Sequence, residues 1–307
     1  MGDTLQEPPA VELSGSLRVV DDMRTLLDGG AANLPDLQRH IPGDESSLLV
    51  VPLSAGAGAA SVYPFGACTS SYTYCGVEHL SQRADCKWDG SKGLAAGIPH
   101  CFPMFGPADG RTCWTGPQHG FARNSHWKIV SRTASAVSLR LTLDDVAESQ
   151  RSGWHWPFTI DYTVALSACG AELKCAMTVR NTGVETFDFT AALHSYLACS
   201  DCDAVTVHGP FRGSLFADKL DKVDGVPREK PEERAAITLA TAEGDGHEPY
   251  DRVYIGVTGD LTVHDSAPTK PGVHLSHSVG WQDTTLWNPR GNEAQGFRDF
   301  CVWRLCA

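Results

Sequence analysis

At 307 residues, with 42% hydrophobic and 20% charged side chains, the chain has enough apolar material for a sizeable core and is not a disordered polymer. Twenty-five Lys and Arg against 37 Asp and Glu leave a formal net charge of −12, which repels phosphate backbones and excludes nucleic acid as a general partner. No run reaches the roughly 18–20 apolar residues of a membrane span, and MGDTLQEPPAVELSGS lacks the basic start and apolar centre of a signal peptide, so no membrane partner and a cytosolic address are expected.

In chain order, residues 1–45 read as an accessory segment ahead of a domain at 46–307. Leu17, Val20, Met23, Leu26 and Leu27 fall at helical spacing, and Gly29-Gly30 would stop such a helix. From about Ser46 the texture changes to short β runs punctuated by Gly, Pro, Asn and Asp. Residues 66–124 are rich in Gly, Pro and aromatics with little alternation, the texture of long ordered loops that carry a site. AVSLRLTL (136–143) alternates cleanly, with Val137, Leu139, Leu141 and Leu143 on one face. FTIDYTVAL (158–166) does the same with Phe158, Ile160, Tyr162 and Val164, and LKCAMTVRNTG with Leu173, Cys175, Met177 and Val179. TFDFTAALHSYLA, AVTVHG, RVYIGV, LTVHDS and GVHLSHSV are further strand candidates. At least eight strands with little helix between them predict an all-β fold, a large antiparallel β-sandwich.

Three features carry candidate chemistry. In TFDFTAALHSYLA the apolar side runs Phe187, Phe189, Ala191, Leu193, which sends His194 to the other face. There it is either a general acid near neutral pH or a surface histidine without a role. GIPHCFPMFGP (97–107) and QHGFARNSHW (118–127) are rigid, polar-studded strings in which Gln118, His119, Arg123 and Asn124 can read hydroxyls or anionic oxygens, or simply form a solvated corner. Cys199 and Cys202 form a lone CxxC without a second pair at zinc spacing, and the eleven cysteines read as reduced thiols.

Taken in order, Gly66 to Tyr72, DGSKGLAAGIPHCFPMFG, QHGFARNSHW, ALHSYLACSD, DRVY and LWNPR resemble the hexose-6-phosphate mutarotases of the aldose 1-epimerase superfamily, over about residues 60–302. The resemblance implies a galactose mutarotase-like sandwich that interconverts α and β anomers of glucose 6-phosphate. It implies no metal and no other cofactor, a sugar or sugar-phosphate ligand, and a monomer. His194 matches the residue that protonates the ring oxygen, while His119 and Arg123 match residues contacting the sugar and its phosphate. Asp251 of DRVY matches the carboxylate that orients sugar hydroxyls; Lys92 and Gln118 stand beside these groups.

Two departures from the family pattern stand out. Where its members carry Arg-Gly-Gly, with the arginine on the phosphate, this chain has Ala95-Ala96-Gly97. Losing that contact costs about 1.5–3 kcal/mol. The catalytic glutamate of the (V/M)CVEA string is also missing, because the sequence reads Cys301-Val302-Trp303 and continues only to Ala307. Under one coding of the tail that the genetic code allows, a single nucleotide inserted after the Phe300 codon reads FVCVEAV, so the expectation is an out-of-frame tail from about Cys301 and a sandwich lacking its last strands. Glu293 and Asp299 are the nearest carboxylates in sequence. The rival expectation is a catalytically degenerate homologue that binds carbohydrate or serves a structural or regulatory role.

Overall fold

Alternation of buried and solvent-facing side chains organises most of the strands, and the computed structural model describes them for residues 10–19, 38–39, 48–83, 85–239, 249–265, 272–278, 280–288 and 300–306. Among the described residues, strands labelled here in chain order form three antiparallel sheets. The nine-stranded sheet runs β16 (Ala236–Thr238), β13 (Val205–His208), β18 (Leu261–Asp265), β19 (Val273–His277), β1 (Ala10–Val19), β11 (Glu172–Asn181), β10 (Phe158–Leu166), β9 (Ala136–Thr142), β8 (Lys128–Arg132). The seven-stranded sheet runs β15 (Val226–Pro231), β14 (Leu215–Val223), β17 (Tyr250–Ile255), β20 (Asp283–Asn288), β21 (Phe300–Cys306), β12 (Ala191–Leu197), β7 (His100–Cys101). A five-stranded sheet follows the order β2 (Gln38–Arg39), β3 (Leu49–Ala55), β4 (Gly58–Tyr63), β5 (Cys68–Tyr74), β6 (Val77–Glu78). The only α-helix among the described residues is a single turn, Glu148–Arg151. Among the described residues no helix is long and apolar enough to cross a membrane. The expected large antiparallel β-sandwich is the observed architecture.

One apolar core is shared by the sheets. Leu13, Leu139, Tyr162 and Met177 enter it from the nine-stranded sheet, Leu193, Phe216, Tyr254 and Leu286 from the seven-stranded one, and Val51, Leu53 and Val62 from the third. Removing each such side chain from water contributes about 1.5–3 kcal/mol, which sets the register of every strand that supplies one. The strands expected at 136–143, 158–166 and 173–179 are all present, with the predicted faces inward.

The N-terminal expectation needs correction. Ala10–Val19, inside the supposed accessory segment, is an internal strand of the nine-stranded sheet, with Leu17 opposite Leu173 on one side and Leu275 on the other. Leu17 therefore does not begin a helix; Val20, Met23, Leu26 and Leu27 lie outside the described residues. Leu13, Gly15, Leu17 and Val19 share one strand face, and Gly15 breaks the apolar pattern where a Cβ would sit 3.2 Å from the Ser276 carbonyl oxygen.

At the C-terminal end of the described residues, β21 pairs along its length with β12 on one side and β20 on the other. No open edge is left at this strand.

Candidate functional site

Backbone hydrogen bonds bring the two singled-out loops and β12 together. The His194 N–H donates to the Pro99 carbonyl at 2.9 Å and the Tyr196 N–H to Gly97 at 2.7 Å, so the GIPHCF string is stitched along β12. On its other side, Phe121 and Ala122 donate to the Phe102 carbonyl at 3.0 and 3.2 Å. These approaches demand glycine. A Cβ on Gly97 would lie 1.9 Å from the Thr69 carbonyl oxygen, and one on Gly120 would lie 2.1 Å from that of Phe102. Residue 119 also adopts a left-handed conformation, at φ +69°, which is uncommon for a histidine and concentrates backbone strain here.

The strand carrying His194 begins at Ala191, later than its sequence pattern implies, and the histidine is 5% exposed rather than a surface residue. Its ring stacks on Tyr196 at 4.6 Å, and His119 and Trp287 approach it edge-on at 5.7 and 6.2 Å. Burial first, then the charges of His119 and Arg123, hold the His194 pKa well below the ordinary 6.5. His119 is pushed down to about 3 by burial, with Arg123 and Lys219 adding to the effect. Its Nδ1 accepts the Gly106 N–H at 3.1 Å, and the Gln118 side-chain amide lies 3.1 Å from its Nε2. Both imidazoles rest neutral.

His194 opens onto a cavity of about 640 Å³ lined by Arg83, Lys87, Lys92, Arg123, Pro99, Cys101 and Tyr196 among others. Four cations and one acid, Asp85, line this wall, in a chain of net charge −12. Local charge therefore opposes global charge, and an anion is the ligand that such a wall attracts. Arg123 is held by its own Nη2 donating to the Gln118 carbonyl at 3.0 Å, and the Asn124 side chain accepts the Gly93 N–H at 2.7 Å, fixing the loop that presents Lys92. The Cys101 thiol is pushed up to about 12 by burial and is no nucleophile.

Asp251 does not line that cavity. It sits on the same sheet face, in the row where Tyr196 pairs with Cys301, Cys301 with Trp287, and Trp287 with Asp251. Burial raises its pKa, and the Lys219 ammonium 3.8 Å away acts in the opposite direction. Lys219 is itself lowered by burial and lies 4.7 Å over the Phe105 ring. The structure thus groups His194, His119, Gln118, Arg123 and Lys92, and Lys219, whose charge reaches both histidines, links Asp251 to them. Lys219 has no sequence signature, since FADKLDKV reads as an ordinary solvated strand.

Position 303 stands directly in register with His194 on the neighbouring strand and holds Trp, not a carboxylate. Glu293 and Asp299 lie outside the described residues. Away from the site, the Cys199 and Cys202 sulfurs lie 3.5 Å apart.

With this geometry in place, the likeness to known proteins is informative. Residues 53–305 match the family model described as aldose 1-epimerase. The chain is 28% identical over 253 residues to a Cenchrus ciliaris protein and 31% identical over 197 residues to a Salmonella typhimurium one, each named "Putative glucose-6-phosphate 1-epimerase". Those alignments span 78% and 61% of this chain, and 70% and 58% of the respective relatives. Its fold is similar to the crystal structure of a Salmonella typhimurium "putative mutarotase (YeaD)", with a TM-score of 0.67, 24% identity, and coverage of 95% of this chain and 90% of that one.

Proposed function

The chain belongs to the aldose 1-epimerase family, and from that premise we propose that it is a hexose-6-phosphate mutarotase, interconverting the α and β anomers of glucose 6-phosphate. The observation that carries the reading is the cation-lined cavity beside a buried histidine in an otherwise acidic molecule. Arg123 and Lys92 hold the phosphate, Gln118 and His119 meet sugar oxygens, and Asp251 orients hydroxyls. In ring opening, His194 protonates the ring oxygen as the bond from C1 to that oxygen breaks and the anomeric hydroxyl loses its proton. Rotation about C1–C2 and reclosure give the other anomer.

Electrostatics links binding to this step. The cation that lowers the His194 pKa most directly, Arg123, also faces the cavity. A bound phosphate offsets that charge and favours protonation of His194, working against the larger effect of burial. A lone general acid contributes about 10²–10⁴ in rate, and water then serves as the base.

A second reading, a degenerate homologue that binds the sugar phosphate without turning it over, is favoured by one observation: position 303, in register with His194, is Trp. Magnetisation-transfer NMR of glucose 6-phosphate separates the two. Exchange above the buffer rate that disappears in His194→Ala supports the mutarotase. Binding without exchange, from a cooperatively folded sample, supports the degenerate protein.

A further inference from the structure

The CxxC that follows β12 takes no part in the chemistry above, yet the fold brings its two sulfurs together. Cys199 and Cys202 lie 3.5 Å apart at Sγ, in van der Waals contact, and both are half-buried against the apolar core. The turn that joins them is anchored along its length. Before it, Leu197 bridges to Leu80, and the Ala198 N–H donates to the His79 carbonyl at 3.0 Å. Within it, Ser200 is fixed by Asp265 at the end of β18, its N–H donating to Oδ2 at 2.6 Å and its hydroxyl to Oδ1. After it, Cys202–Ala204 forms a single 3₁₀ turn, with the Ala204 N–H on the Asp201 carbonyl at 3.1 Å, and β13 starts at Val205. The chain entropy that two such thiols would lose in meeting has therefore been lost already in folding.

Two other uses of the pair fit less well. A structural zinc takes four ligands, and among the described residues no group of three His, Cys, Asp or Glu is placed to hold a metal. Service as a small hydrophobe accounts for Cys68, Cys101 and Cys175, which are buried, but not for two half-buried sulfurs held against each other.

We propose that Cys199 and Cys202 are a reversible redox site, converted to an intrachain disulfide by a small-molecule disulfide such as glutathione disulfide, and that this bond clamps the exit of the strand carrying His194. One protein thiolate attacks the external disulfide, forming a mixed disulfide and expelling one small thiolate. The second protein sulfur then displaces the other, as the sulfurs close from 3.5 Å to a bond of about 2 Å. Two electrons pass to the external disulfide, and the two protons shed by the protein thiols end on the two small thiols. The site stands whether or not the chain turns over a sugar phosphate.

Glutathione buffers of graded disulfide-to-thiol ratio test it on the full chain, native and in urea, read by acid quenching, alkylation and peptide mass. Tryptic peptide 181–212 carries both cysteines and no other. In the native chain it is expected to lose two hydrogens without retaining glutathione. Half-oxidation should come at a ratio at least about tenfold lower than in urea, because the fold already holds the sulfurs together. The oxidised chain should melt higher than the reduced one. Cys199→Ser and Cys202→Ser, each checked for cooperative melting, should lose that rise and keep a glutathione adduct on the remaining thiol. Equal half-oxidation ratios in the native and urea-unfolded chain overturn the proposal, since the spacing alone would then account for the bond. So does a native chain whose two cysteines stay thiols, or keep separate glutathione adducts, at ratios that oxidise the unfolded one.

Discussion

β10 and β12 are both internal strands, yet they bury their side chains in different ways. In β10 Phe158, Ile160, Tyr162, Val164 and Leu166 are buried, and the residues between them are half exposed. In β12 Ala191 and Leu193 are buried on the core side, while Ala192, His194 and Tyr196 are buried on the other. The second face of β12 is covered by Cys101, Phe105, Val253 and Trp287 around the site. The nine-stranded sheet thus uses one face to hold the molecule together. The seven-stranded sheet uses one face for that and the other for chemistry, and keeps polar groups out of water to do so.

The largest expected effect tests the chemical face. His194→Ala should lower glucose 6-phosphate anomer exchange by about 10²–10⁴, to the buffer rate, while the thermal transition remains cooperative. Loss of the transition instead would make His194 a core residue like its neighbours.

On the structural face, Ile160→Ala should cost about 2–5 kcal/mol in denaturant melts, because a 0%-exposed side chain is removed from the close-packed core. Exchange per folded molecule should not change. A smaller loss would show that the cavity collapses.

Acid should expose the difference as a slope. His100, which starts the loop stitched to β12, is held at about 4 by burial, whereas the unfolded chain titrates near 6.5. Between those values the unfolded state binds more protons, so stability falls as pH drops. The loss from His100 alone is about 3 kcal/mol between pH 6.5 and 4. Chemical melts of His100→Asn should show a flatter profile there; an unchanged slope would remove His100 as the cause.

The smallest effect belongs to the solvent-facing side of β10. Asp161 pairs with Arg140 at 2.6 Å, but both are partly exposed, and Asp161→Ala should cost less than about 1 kcal/mol, declining with salt. A larger cost would mean that this face, too, is more than a wetted surface.

The same contrast explains what could be read from the amino-acid sequence. Strands buried on one face declare themselves by alternation, as at Val137–Leu141, Phe158–Leu166 and Leu173–Val179. β1 hid because Gly15 interrupts its apolar row and Leu17 also fits a helical spacing. His194 stood out as a titratable residue on a strand, but its burial could not be seen, because the side chains covering it come from β7, β17 and β20. His119, Arg123, Lys92 and Asp251 were marked by the resemblance of their motifs rather than by any local pattern. Lys219 carries no pattern at all: it becomes distinctive only through a neighbour far along the chain.

β1 has one further consequence. Its partners are β11, about midway along the chain, and β19, near its far end, with Ser16 opposite Ser276. Synthesis runs from the N-terminus, so β1 emerges before both partners and can dock on β11 while its other edge waits for β19 to be made. Contacts of such long sequence separation are slow to form. A nascent chain would hold an unpaired edge in the middle of its future sheet for most of translation, an opening for mispairing with other chains. Folding yield in the cell should therefore depend on how quickly the last third of the protein follows the first.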